Sequence, residues 1–184
     1  MLEPQLSFDV ELSTQEISVR WRLRNRLAEP ILICYSLPNA KTKMAETDWA
    51  YVEFVRGTTI IKQEMEILPP GLSVMIPDTP LLREVAPGDF VESVIRLQRP
   101  LTERSAYGFF GQARDPNEER TDHLQLRVGW AVEADLGEGP RVTRTTDKGC
   151  SFISAPYHLI APVQRVVVSE KRQIDLPIRV YGAP

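Results

Sequence analysis

Histidine and cysteine are scarce in this 184-residue chain; each occurs twice. His123, His158, Cys34 and Cys150 offer no ligand pair at a familiar spacing, so no metal is expected. An excess of positive charge is missing too: 22 Lys and Arg stand against 25 Asp and Glu, a net charge of −3. That disfavours a generally cationic nucleic-acid binder. No apolar run approaches the ~20 residues that cross a bilayer, which points away from a membrane partner. No Gly-rich phosphate loop joins a strand to a helix, and no cofactor is expected. The opening Met1-Leu2-Glu3-Pro4-Gln5 carries neither a basic nor an apolar leader pattern. The expectation is a cytoplasmic location with both thiols reduced.

What is present is ordinary globular material, 42% hydrophobic and 26% charged. The length suits one domain over residues 1–184. Proline is raised, at 15 residues against 10 glycines, and it falls between apolar segments. Proline at such intervals lacks a donor and clashes with the preceding turn, so long helices are excluded. Period-two burial takes their place. Leu6, Phe8, Val10 and Leu12 alternate with polar residues, as do Ile17, Val19, Trp21 and Leu23, with a turn over Ser13 to Glu16. Ile31 to Leu37 is apolar on both faces, as in a central strand. Tyr51 to Val55 and Thr59 to Met65 flank a turn at Arg56-Gly57-Thr58, where Gly57 supplies a positive φ.

Leu72 to Ile76 reads as a short strand, and Phe90 to Leu97 follows a Val85 to Asp89 turn. Leu124 to Ala134 is the longest alternation. Ser151 to Ser154, Val163 to Ser169 and Ile174 to Val180 complete about ten short strands. The reading is an all-β, two-sheet antiparallel sandwich, immunoglobulin-like, with little helix and with Trp21 and Trp130 as its largest core side chains. Two long connections, Pro38 to Asp48 and Thr102 to Asp122, stand out, because such loops are more often functional.

The run Ile17-Ser18-Val19-Arg20-Trp21-Arg22-Leu23-Arg24-Asn25, the Glu29-Pro30 turn and the apolar Ile31 to Tyr35 resemble bacterial immunoglobulin-like sandwiches of the intracellular proteinase-inhibitor type. The Pro-Gly turn before Phe90 is similar to theirs. The likeness covers the first half of the chain, and the second half departs from the pattern. It implies a non-catalytic protein-binding role and identifies no inhibitory residue.

Three candidate sites emerge. Arg20, Arg22, Arg24 and Arg26 form a row on the outward face of one strand, at ~6.7 Å spacing. They suit phosphates or an acidic partner surface, or cross-strand pairing with Asp9 and Glu11. Tyr107, Phe109 and Phe110, set among glycines in a long loop, are candidate interface anchors, with Arg114 to Asp122 as a solvated tip. Trp49, Tyr51 and Tyr107 are alternative stacking platforms for a carbohydrate or small ligand. A nucleophile built from Cys150, His158 and Asp147 lacks any recognisable oxyanion donors. Asp135, Glu138 and Asp147 lack the run of a calcium loop. The function expected is therefore a non-catalytic protein-interaction module: an inhibitor, immunity protein or assembly adaptor that binds another protein through long loops and a strand edge. The alternatives are a ligand-binding sandwich and, behind it, a hydrolase using Cys150.

Overall fold

A computed structural model describes residues 2–39, 42, 44–107, 115–145 and 151–181. The first two alternating segments form an antiparallel pair, β1 (Gln5–Leu12) and β2 (Glu16–Arg24), in register from Gln5↔Arg24 to Leu12↔Ile17. Next come β3 (Ile31–Pro38), β4 (Ala45–Glu46), β5 (Tyr51–Val55), β6 (Thr58–Gln63), β7 (Leu81–Val85), β8 (Phe90–Gln98) and β9 (Leu101–Thr102). The 16-residue β10 (Asn117–Val132) is followed by β11 (Val142–Thr145), β12 (Ser151–Ser154), one helical turn α1 (Tyr157–Ile160), β13 (Arg165–Val168) and β14 (Arg172–Val180). The protein is all-β, and strands outnumber the expected ten.

β1, β2 and β8 make a three-stranded antiparallel sheet. The larger sheet is organised by β10. One edge of β10 pairs first with β14 and then with β13; the other pairs first with β6 and then with β3. β3 carries the sheet onward to β7, β12 and β11. A wholly antiparallel sandwich is not what forms. β6 runs parallel to β10, and β9 runs parallel to β14. The β5–β6 hairpin turns at Arg56 and Gly57, with φ of 48° and 78°, the paired positive values of a two-residue type I′ loop.

Both faces of the large sheet are covered. Leu124, Leu126, Val128, Trp130 and Val132 of β10 meet Ile17, Val19, Trp21, Leu23 and Ile95 of the small sheet in the main core. On the reverse face Ala131, with Leu32 and Cys34 of β3, packs under Met65, Leu136 and Ile160. This is why the first half of β3 is apolar on both faces. Ile31 and Ile33 enter one core, and Leu32 and Cys34 enter the other. Trp21 and Trp130 are buried in the main core, as their alternation predicts.

Leu72 to Ile76 is not a strand. It is part of an irregular stretch between β6 and β7 in which Pro69, Pro70 and Gly71 form a turn, Leu72 N–H donating to Pro69 O at 3.1 Å with Gly71 at φ 85°. Much of the Arg114 to Asp122 tip is also corrected, since residues 117–122 belong to β10.

Gly129 marks the tightest point of β10. A Cβ there would stand 2.7 Å from Gln164 Oε1, 2.9 Å from Cys34 Sγ and 3.0 Å from Glu64 Cβ. Gly129→Ala is expected to lower unfolding free energy by about 1–3 kcal/mol through overpacking, read from the midpoint of urea denaturation.

Candidate functional site

The arginine row is consumed by its own sheet. Arg20 pairs with Glu11 at 3.4 Å, and Arg22 with Glu92 of β8 at 2.8 Å while lying 4.0 Å over the Phe90 ring. Arg24 donates from Nε to Gly88 O at 3.2 Å. Arg26 lies beyond the end of β2 and does not extend the row. Asp9, directly opposite Arg20, is reached instead by Arg172 of β14 at 3.5 Å. Cross-strand pairing engages Arg20 and Arg22, and a backbone carbonyl engages Arg24, so an acidic-partner site does not follow from this row.

The strand edge is guarded as well. β1 ends its sheet, but Arg172 donates to Phe8 O at 3.2 Å across the middle of that edge. A charged side chain over the exposed backbone is a usual defence against edge-to-edge pairing.

Of the aromatic candidates, Phe109 and Phe110 lie outside the described residues, as do Asp147 and Cys150. Tyr107 is half-buried. Burial pushes its hydroxyl up to about 12, against the opposing pull of the Asp78 backbone. It anchors a neighbouring loop. Tyr51 is 2% exposed and cannot serve as a stacking platform. Trp49 is half-buried under the Arg104 guanidinium, 3.6 Å from the ring centroid, which takes the face a sugar would use. His158 is exposed on α1. Asp135 pairs with Arg165 at 2.8 Å. Among the described residues no three of His, Cys, Asp and Glu gather into a metal-binding group. Burial also pushes the Cys34 thiol up to about 12, so it stays protonated and serves as core filling.

The sequence reading missed the segment between β6 and β7. It is tied down at both ends. The Gln164 side chain clamps Met65, accepting from its N–H at 2.9 Å and donating to its carbonyl at 3.0 Å. Leu68 N–H donates to the Tyr157 hydroxyl at 2.8 Å, and Ala106 N–H donates to Glu66 Oε2 at 2.7 Å. Between these anchors Met75 is 97% and Ile76 84% exposed, with Ile67 and Leu72 also open to water. The loop therefore runs beside 105–107, the start of the aromatic stretch. Asp78 and Tyr107 meet there, as do Glu66 and Ala106. The usable signal in the sequence was a hydrophobic segment bracketed by Pro69, Pro70, Pro77 and Pro80, which supports no regular element and so has no sheet to bury it.

Two buried carboxylates, absent from the candidates, carry raised pKa values, the signature often seen at active sites. Burial raises Glu64, against the opposing pull of Arg127, which pairs with it at 3.0 Å. Burial likewise raises Glu103, whose oxygens accept from the backbone N–H of Phe54 at 2.8 Å and of Tyr181 at 2.9 Å. Both are committed to structural partners, which favours a framework role over general acid chemistry.

Comparison of the chain with protein-family models, with curated proteins and with solved structures finds no match. Among the described residues no helix is long and apolar enough to cross a membrane.

A glutamate whose folded pKa lies above its ordinary 4.5 gives stability that is present below that value and lost as pH rises through the folded one. Stability measured by urea unfolding should fall from pH 4.5 upward, and Glu64→Gln should make that fall shallower; an unchanged slope would refute the assignment. Arg127→Met should cost about 2 kcal/mol at pH 7, because it leaves a buried carboxylate without its charged donor.

Proposed function

We propose that this protein is a non-catalytic protein-interaction module on an immunoglobulin-like sandwich, of the inhibitor, immunity-protein or adaptor kind, and that it grips its partner through the loop between β6 and β7. The observation that carries this reading is the pair Met75 and Ile76, held almost wholly in water on an anchored loop. Burying either side chain is worth about 1.5–3 kcal/mol, and a loop clamped at Met65, Glu66 and Leu68 has less freedom to lose on binding. Methionine adapts its shape to an apolar pocket, which suits an interface anchor. The half-buried Tyr107 lies beside the same loop, where Asp78 approaches it. The likeness of the first half of the chain to proteinase-inhibitor sandwiches supports the same class of function.

The loop chemistry also favours a protein over a lipid surface. From Glu64 to Leu82 there are three acidic residues and no basic one, so anionic headgroups find no counter-charge. A partner with an apolar pocket and a basic or neutral rim fits better.

The test places a photo-crosslinking amino acid at position 75 and, as a control, at Ser7 on the outer sheet face. The expected result is one distinct protein captured in source cells from position 75 and not from position 7. Met75→Ser with Ile76→Ser should weaken binding of that protein by about 3 kcal/mol, roughly a hundredfold in Kd, with an unchanged urea midpoint. Equal binding by the double variant, or no capture from position 75, overturns the reading.

A further inference from the structure

The cleft beside Trp49 carries an inference independent of the apolar loop. Its volume is about 650 Å³. It is lined by Glu46, Asp48 and Trp49, the end of β8, residues 99–105, and Arg179 with Tyr181. Most of its polar groups are already engaged. Glu46 accepts from Asn39 Nδ2 at 2.7 Å and from Thr42 Oγ1 at 2.8 Å. Glu103 holds its two backbone N–H groups, Arg99 donates to Ser13 O at 2.6 Å, and Arg96 pairs with Glu16 at 3.6 Å.

Arg104 and Trp49 differ from these. The one hydrogen bond of the Arg104 guanidinium among the described residues runs from Nε to Ala50 O. Among the described residues its buried Nη2 finds no acceptor, and neither does Nε1 of the Trp49 ring on which it stacks. About 90% or more of buried polar groups in folded proteins are paired. The core indoles of Trp21 and Trp130 also lack an acceptor, but Trp49 alone of the three lines a cleft beside a second unpaired donor that carries charge. Burial lowers the Arg104 pKa to about 10 while Glu46 and Asp48 act against that fall, and the group is a cation at neutral pH. Four arginines and three carboxylates line the cleft, leaving one net positive charge. That balance suits a single compact anionic group and not a polyanion such as nucleic acid.

We propose that this cleft binds a small oxyanion-bearing group, a carboxylate or a phosphate, with Arg104 and Trp49 as donors and the exposed Arg179 as a second cation. The planar guanidinium, oriented by its stacking on the indole, is suited to a group presenting two oxygens.

The test follows the three indole N–H resonances by NMR while inorganic phosphate or citrate is titrated at constant ionic strength. The Trp49 resonance should shift and saturate while Trp21 and Trp130, both in the main core, stay still. Saturation by phosphate alone assigns a phosphate site, by citrate alone a carboxylate site, and by both the shared chemistry. Arg179→Ala, at an exposed position, should weaken binding by about fivefold. Arg104→Lys, which keeps the charge and loses the planar fork, should weaken it further. A linear drift of all three resonances, silence with both probes, or affinity unchanged in both arginine variants overturns the proposal.

Discussion

One strand bears the demands of the whole molecule. β10 is paired along both edges and packed on both faces, so each residue in its second half answers to two sheets' worth of neighbours. Its even-numbered side chains from Leu124 to Val132 close the main core against the small sheet, and Ala131 serves the reverse face. Gly129 is small because Gln164, Cys34 and Glu64 all crowd that point. Close packing at such a position leaves little tolerance for added volume.

From that constraint follows the placement of the loops. The reverse face of the large sheet is apolar and must be covered. Met65, α1 and the Gln164 clamp provide the cover. Covering it leads the chain out of the sheet between β6 and β7, and the prolines there prevent it from rejoining as a strand. The exposed Met75 and Ile76 are a consequence of this geometry: the loop is fixed where it leaves and where it returns, and it is open between. The cleft beside Trp49 is formed on a different part of the fold, where the short β9 and the end of β14 meet the segment after β4.

The charged face shows how little a row of like charges says about binding. Arg20 and Arg22 sit opposite or diagonal to acidic residues of β1 and β8, in pairs of the kind that contribute only about 0–1 kcal/mol each at an exposed surface. Each pair offsets one positive charge on the outer sheet face. The partner of Asp9 proves to be Arg172, a residue 163 positions away, which also shields the edge of β1.

Read alone, the chain determined what depends on local alternation. The β1–β2 hairpin, β3 as a central strand, the turn at Gly57, the later half of β10 and the near absence of helix all follow from period-two burial and proline placement, because one buried face imposes a pattern on its own strand. Tertiary structure decided everything whose burial is set by a distant neighbour. β7, with Leu81-Leu82-Arg83-Glu84-Val85, does not alternate, and it becomes a strand only because β3 and β12 flank it. The polar start of β10 is a strand because β14 pairs with it. Tyr51 is buried, Trp49 is capped by Arg104, and Arg22 and Arg24 find Glu92 and the Gly88 carbonyl, partners that lie far along the chain. Pairing and burial of this kind are properties of the assembled sheets, since the free energy of a contact depends on which surfaces the fold brings together.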